Sequence, residues 1–240
     1  LGERALQTLH HETGELLQGF GPFAKGAETF VDVHLTLRPG LSLAGRVMNL
    51  RGSRLARLQY AKCRSKHLLE LWVDHLALQA SGRAPATSTL VARDKNKVPN
   101  LFCLDPLSDD LVTNQAEAIK HLEMLVQIMQ RGSHLPLPLF PETSRAYAHA
   151  ITSDPESAAK QAAGRNKAAQ AWSNHNFATG RPGGDSVDPA IKRLFEDTLP
   201  YEANFTHPGL PPDDDLSFHA LSQQVWGPLL NTLQTLKVSA

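Results

Sequence analysis

Cysteine is nearly absent. The 240 residues hold two, Cys63 and Cys103, in no CxxC pair and no zinc-ligand spacing. A disulfide framework is thereby excluded, and both are read as free, buried thiols in a reducing cytosol. Long apolar runs are missing too: none approaches the roughly 20 residues of a membrane-spanning helix. The first residues do not read as a signal peptide, so none is expected. Net charge is zero, with 24 Lys+Arg against 24 Asp+Glu. Neutrality neither demands nor excludes nucleic acid, because only a local basic patch counts. No internal repeat or low-complexity segment is visible. What remains is an ordinary globular composition, 41% hydrophobic and 20% charged. A chain of this length buries roughly 70% of its unfolded surface and needs no staple. Leu1 stands where a methionine would begin a protein, and the residues after it already read as helix. The chain is therefore expected to be a fragment of a larger protein, forming a single domain over 1–240.

The clearest pattern lies between residues 30 and 80. Val31, Val33, Leu35 and Leu37 alternate with Asp32, His34 and Thr36, the period of a half-buried strand. Turns at Arg38-Pro39-Gly40 and Arg51-Gly52-Ser53 separate two more strands, 41–50 and 54–62. The period then becomes helical: Leu68, Leu71, Trp72, His75, Leu76 and Gln79 share one stripe. Residues 3–18 also read as helix. Segments 86–93 and 98–104 read as a hairpin, with Pro99 placing its strand at an edge. From about 114 the chain is helical: 114–131, 142–151, a helix capped by Asp154-Pro155 and reaching about 174, and one from Asp188-Pro189 to about 197. A last helix starts near 213 and carries Leu216, Leu221, Val225, Leu229, Leu233 and Leu236, with Pro228 kinking it. Three prolines between Leu135 and Pro141 keep that segment extended. The class is α+β, with a sheet-bearing first half and a helical second half.

Leu43 to Val47, Leu58 to Lys62 and Leu68 to Ala80 resemble the C-terminal domain of the RecC family, the gamma subunits of exodeoxyribonuclease V (RecBCD). The proline-rich segment 135–141, Trp172, Asp188-Pro189 through Phe195, and Phe218 through Leu230 resemble further family segments in the same order. The similarity spans about residues 5 to 236. It implies a PD-(D/E)xK restriction-endonuclease-like fold, a mixed sheet flanked by helices. It also implies no nuclease chemistry in this domain, RecB and RecD as partner subunits, and contact with a duplex end or its unwound strands. The whole complex is an ATP-dependent exodeoxyribonuclease and helicase of bacterial double-strand-break repair and recombination, in the cytoplasm. No cofactor is expected.

A nuclease of that fold needs an aspartate near the end of the second strand and an Asp/Glu-x-Lys on the third. These carboxylates hold Mg²⁺, which activates water. Here the positions fall on Met48 and Tyr60, and only Lys62 remains. A thioether is a poor Mg²⁺ ligand. Asp32 and Glu28 are the acids that an alternative reading, a metal-dependent deoxyribonuclease with atypical carboxylates, would recruit.

Arg51, Arg54, Arg57, Lys62, Arg64 and Lys66 lie in a sixteen-residue stretch without an acid. They form a phosphate-tracking stripe or a solvated strand edge. The second reading is preferred, since alternation separates Arg54 from Arg57. Arg93, Lys95 and Lys97 mark a hairpin tip that is read as reaching a strand junction or a partner. Together with Arg51, Arg54, Arg57, Arg64 and Lys66 they are the candidate DNA or partner contacts. The eleven histidines are scattered, with no metal spacing. Trp72, Trp172 and Trp226 sit in helices and read as core rather than as base-stacking platforms. Asp213 to Asp215 have two readings, a cation site or a complement to the dipole of the last helix, and the second is preferred.

Overall fold

The computed structural model describes residues 2–83, 86–94, 98–173, 175–176, 181–182, 184–195, 199, 201 and 216–237. α1 (Gly2–Phe20) opens the chain, burying Leu16 and Gly19. β1 (Thr29–Arg38) buries Val31, Val33, Leu35 and Leu37 and exposes the residues between them. It pairs antiparallel with β2 (Leu41–Arg51), and β3 (Arg54–Lys62) follows. Gly40 and Gly52 make the two turns at φ +79° and +64°, a region costly for a side chain with Cβ. β2 and β3 share only the pairs Leu50–Leu55 and Arg51–Arg54. α2 (Ser65–Ala80) buries all six residues of the stripe named above. It returns the chain to β4 (Ser88–Arg93), which lies parallel to β3, and β5 (Pro99–Leu104) pairs antiparallel with β4.

The chain divides into two compact units, residues 1–123 with 232–240, and residues 124–231. No linker marks the division, because it falls inside the continuous helix α3 (Leu111–Gly132). The first unit has the sheet order β1-β2-β3-β4-β5-β8, where β8 is Leu233–Lys237. Arg93 on β4 meets Glu12 of α1, whereas Ser88 on β4 meets His75 of α2. The two positions differ by an odd number, so α1 and α2 lie on opposite faces of the sheet.

Three expectations are corrected here. The last helix, α7 (Phe218–Thr232), does not carry Leu233 and Leu236; those residues begin and nearly complete β8. Their spacing after Leu229 fits a helix, but pairing with Asn100–Leu104 satisfies the outer edge of β5. β5 is consequently not an edge strand. Pro99 is tolerated because it is the first residue of the strand, ahead of the register with β8. α3 also begins earlier than 114, capped by Asp110, whose carboxylate accepts from the Thr113 N–H at 2.8 Å.

In the second unit, α4 (Pro141–Ile151) and α5 (Ala158–Trp172) are packed together. Ser157, not Asp154, caps α5, accepting from the Lys160 N–H. A small pair, β6 (His175–Asn176) with β7 (Arg181–Pro182), precedes α6 (Pro189–Phe195). The Asp188 side chain accepts from the Ala190 and Ile191 N–H groups at the start of α6. Phe140, Tyr147, Ile151, Ala168, Trp172, Phe195 and Phe218 make one core cluster. Asp185 reaches from the loop before α6 to accept from the Glu142 and Thr143 N–H groups at 3.0 and 2.7 Å, satisfying the start of α4. All three tryptophans are buried, at 0, 8 and 1% exposure for Trp72, Trp172 and Trp226. Asp213 to Asp215 and most of 196–215 lie outside the described residues.

The α4–α5 contact is close enough to reverse an ordinary helix rule. A Cβ on Gly164 would lie 2.9 Å from the Tyr147 ring and 3.0 Å from Ile151 Cγ2. Glycine to alanine inside a helix normally gains up to about 1 kcal/mol. Gly164→Ala is instead expected to lose roughly 1–2 kcal/mol, because the ring must move in a packed core. Gly14→Ala on α1, where nothing lies within 4 Å, should show the ordinary gain. Paired thermal melts check the opposite signs.

Candidate functional site

Met48 sits on β2 with its side chain 46% exposed. The next residue, Asn49, has φ +63°, the one non-glycine residue in that region among those described. The register accounts for it: Thr29 pairs with Leu50 but Val31 with Val47, so β2 carries one extra residue here. This bulge sets both Val47 and Leu50 inward, which strict alternation cannot do. Asn49 Nδ2 then donates to Glu28 Oε1 at 3.0 Å.

Tyr60 and Lys62 lie at the far end of β3, where the register with β4 slips between Gln59 and Lys62. Lys62 is exposed. The Tyr60 hydroxyl donates to Glu12 Oε2 at 2.9 Å. The same oxygen accepts from Arg93 at 2.8 Å, and the Arg93 guanidinium stands 4.8 Å from the Tyr60 ring centre. A phenol thus stands where an active nuclease of the expected fold would carry its third-strand carboxylate. The acid nearest to it comes from α1 and is bound to an arginine. Glu12 escapes a search along the strands. Its signal lay in α1, where it stands four residues before Leu16 on the face that turns to the sheet.

The acids of β1 and of the segment before it are matched in the same manner. Glu28 takes Arg51 at 2.9 Å and Asp32 takes Arg46 at 2.6 Å. The Arg46 hydrogen bond holds the Asp32 carboxyl below the usual range. Among the described residues no group of three His, Cys, Asp or Glu is placed to hold a metal ion.

The candidate cations separate into three groups. Arg51, Arg57 and Arg93 are each paired with an acid of the chain, and Arg51 and Arg57 are partly buried. Arg51 also donates to the carbonyls of Ala24 and Gly26, fastening the segment before β1. Arg57 pairs with Asp74 of α2, and burial pushes the Asp74 carboxyl up despite that arginine. Arg93, the last residue of β4, is 7% exposed, and a guanidinium that deep requires its carboxylate. Arg54, Arg64 and Lys66 are exposed. Lys95 and Lys97 lie outside the described residues. Of the cysteines, Cys63 is buried and Cys103 partly so, and burial pushes the Cys103 thiol up. No described helix is long and apolar enough to cross a membrane.

Fold and site together describe a mixed α+β unit in which Glu12, Glu28 and Asp32 are paired with arginines. Residues 1–152 match the family model of the RecC C-terminal domain. The chain belongs to that family. It is similar to the protein named RecBCD enzyme subunit RecC in two strains of Mycobacterium tuberculosis, CDC 1551 / Oshkosh and ATCC 25618 / H37Rv. Each is 26% identical over 236 residues, covering 96% of this chain and 20% of the relative. The chain therefore spans about one fifth of the length of these relatives.

Proposed function

We propose that this chain is a non-catalytic, nuclease-like portion of a RecC subunit, which scaffolds a RecBCD helicase–nuclease and contacts DNA during double-strand-break repair. Its partners on this reading are RecB, RecD and the strands of a duplex end, in the bacterial cytoplasm. The observation that carries the loss of chemistry is the substitution of both carboxylate positions, by Met48 and Tyr60, in a chain of the RecC family. The pairing of Glu12, Glu28 and Asp32 with arginines supports it. A carboxylate already satisfied by a guanidinium must break that bond before it can bind Mg²⁺. The element order α1-β1-β2-β3-α2-β4, with β3 parallel to β4, supports the PD-(D/E)xK-like assignment.

Two measurements test this. Plasmid incubated with the protein and Mg²⁺ or Mn²⁺ should stay intact; cleavage abolished by Lys62→Ala would establish the deoxyribonuclease alternative instead. In the second, deleting the chain from its subunit should prevent co-purification with RecB and RecD. Full assembly without it would remove the scaffold role.

A further inference from the structure

We propose that the sheet face of β1–β3 opposite α2 is a sequence-independent platform for single-stranded nucleic acid, centred on Phe30, Met48, Leu58 and Tyr60. The proposal rests on the DNA-contacting reading above and assigns that contact a place.

The four side chains share one face. The Arg46 guanidinium lies 3.9 Å from the centre of the Phe30 ring, and Arg46 pairs in register with Asp32, opposite the buried valines. Met48 follows buried Val47 and faces away from it. Leu58 is in register with Val91, two residues from Arg93, and both turn to the α1 side, where Tyr60 meets Glu12. Phe30, Met48, Leu58 and Tyr60 are 49, 46, 38 and 41% exposed. Four large apolar groups on consecutive strands are thus each more than a third exposed on this face.

Charge selects the occupant. The acids on this face, Asp32 and Glu12, are each held by an arginine. Arg54 and Lys62, at the two ends of β3, are exposed and make no ion pair among the described residues. The balance is therefore cationic around aromatic rings. That combination suits a strand whose bases stack and whose phosphates follow the cations, without reading sequence. Each ring stands beside a guanidinium, Arg46 at Phe30 and the buried Arg93 at Tyr60, which holds the ring in place. The substitutions at Met48 and Tyr60 gain a meaning from this. Metal-free carboxylates would repel phosphate, whereas a thioether and a phenol do not.

Binding of a labelled oligothymidylate to the intact subunit, followed by anisotropy, tests the assignment. Phe30→Leu and Tyr60→Leu keep an apolar surface but remove the ring, and each should weaken binding about tenfold. Tyr60→Phe should bind like the wild type, which separates stacking from the Glu12 hydrogen bond. Arg54→Ala and Lys62→Ala should each lower the log–log salt slope by about 0.7. Photocrosslinking of iododeoxyuridine strands to the wild type should label Phe30 or Tyr60, whatever the stability of the variants. Wild-type binding that is indifferent to both leucine variants, or crosslinks only elsewhere, overturns the platform and leaves the DNA reading standing. Loss of a partner subunit on Met48→Asp, with both leucine variants silent toward DNA, makes the face a protein dock and overturns it equally. No affinity for any strand in the wild type removes the DNA reading and the platform together.

Discussion

Replacing Trp72 by alanine is expected to cost about 3–5 kcal/mol of unfolding free energy. This is among the largest single-residue effects foreseen in the first unit. The side chain is 0% exposed in the middle of α2, stacked on His75 at 5.8 Å and tilted against His121 at 5.9 Å. Alanine removes the indole from between these rings and leaves a cavity that two helices and a sheet cannot close together. Trp72→Phe should behave differently. The indole Nε1 is buried with no hydrogen-bond partner among the described residues. A buried unsatisfied donor costs about 1–3 kcal/mol, and phenylalanine removes that cost while keeping most of the ring. The expected net change is below about 1.5 kcal/mol. Urea unfolding of the two variants gives the test. Equal losses for alanine and phenylalanine would mean that the indole nitrogen is satisfied after all.

The same helix shows what could be read in advance. Six apolar or polar residues from Leu68 to Gln79 share a period of 3.6, and all six are buried. β1 is equally legible, since its inward valines and leucines alternate without a break. β2 is legible only as far as Val47, because the bulge at Asn49 follows from pairing with β1, which no single strand records. β8 was hidden for a related reason. Leu229, Leu233 and Leu236 fit a helix locally, and only the unpaired edge of β5 turns the last segment into a strand. The candidate site was half legible. That Met48 and Tyr60 stand where the resemblance implies nuclease carboxylates can be seen in the sequence. The pairing of Arg57 and Arg93 cannot, since Asp74 and Glu12 come from other elements. A run of cations looks like a binding stripe until its counter-charges are located. Arg51, Arg57 and Arg93 pair with acids of the same chain, whereas Arg54 and Lys62 are exposed.

Acid should unfold the first unit through His75. Its ring is 0% exposed, with Nδ1 2.9 Å from Ser88 Oγ and the Gln79 side chain alongside. Gln79 is fixed in turn: it donates to the Ala86 carbonyl at 2.5 Å and accepts from Asn114 at 2.7 Å. Nothing in this network supplies a negative charge, so an imidazolium there would be desolvated and uncompensated. Burial accordingly pushes His75 down to about 4 from its ordinary 6.5, against a small upward pull from the Asp105 backbone. Above pH 6.5 the ring is neutral in both the folded and unfolded chain, and its contribution is fully present. Between 6.5 and about 4 the unfolded chain takes up the proton and the folded one does not, so stability falls as pH falls. Below about 4 both forms are charged and the loss is complete. The total is on the order of 3 kcal/mol, at about 1.4 kcal/mol for each unit of displacement. Asp74 and Asp185, both pushed up by burial, act in the opposite sense near the lower end of this window. The difference between wild type and His75→Gln therefore isolates the histidine, because glutamine keeps a hydrogen-bonding amide beside Ser88 and cannot titrate. Hydrogen exchange of the α2 amides at pH 7.5 and pH 4.5 should show the wild type losing more protection than the variant. Parallel losses in the two would mean that the buried ring does not change charge between these states.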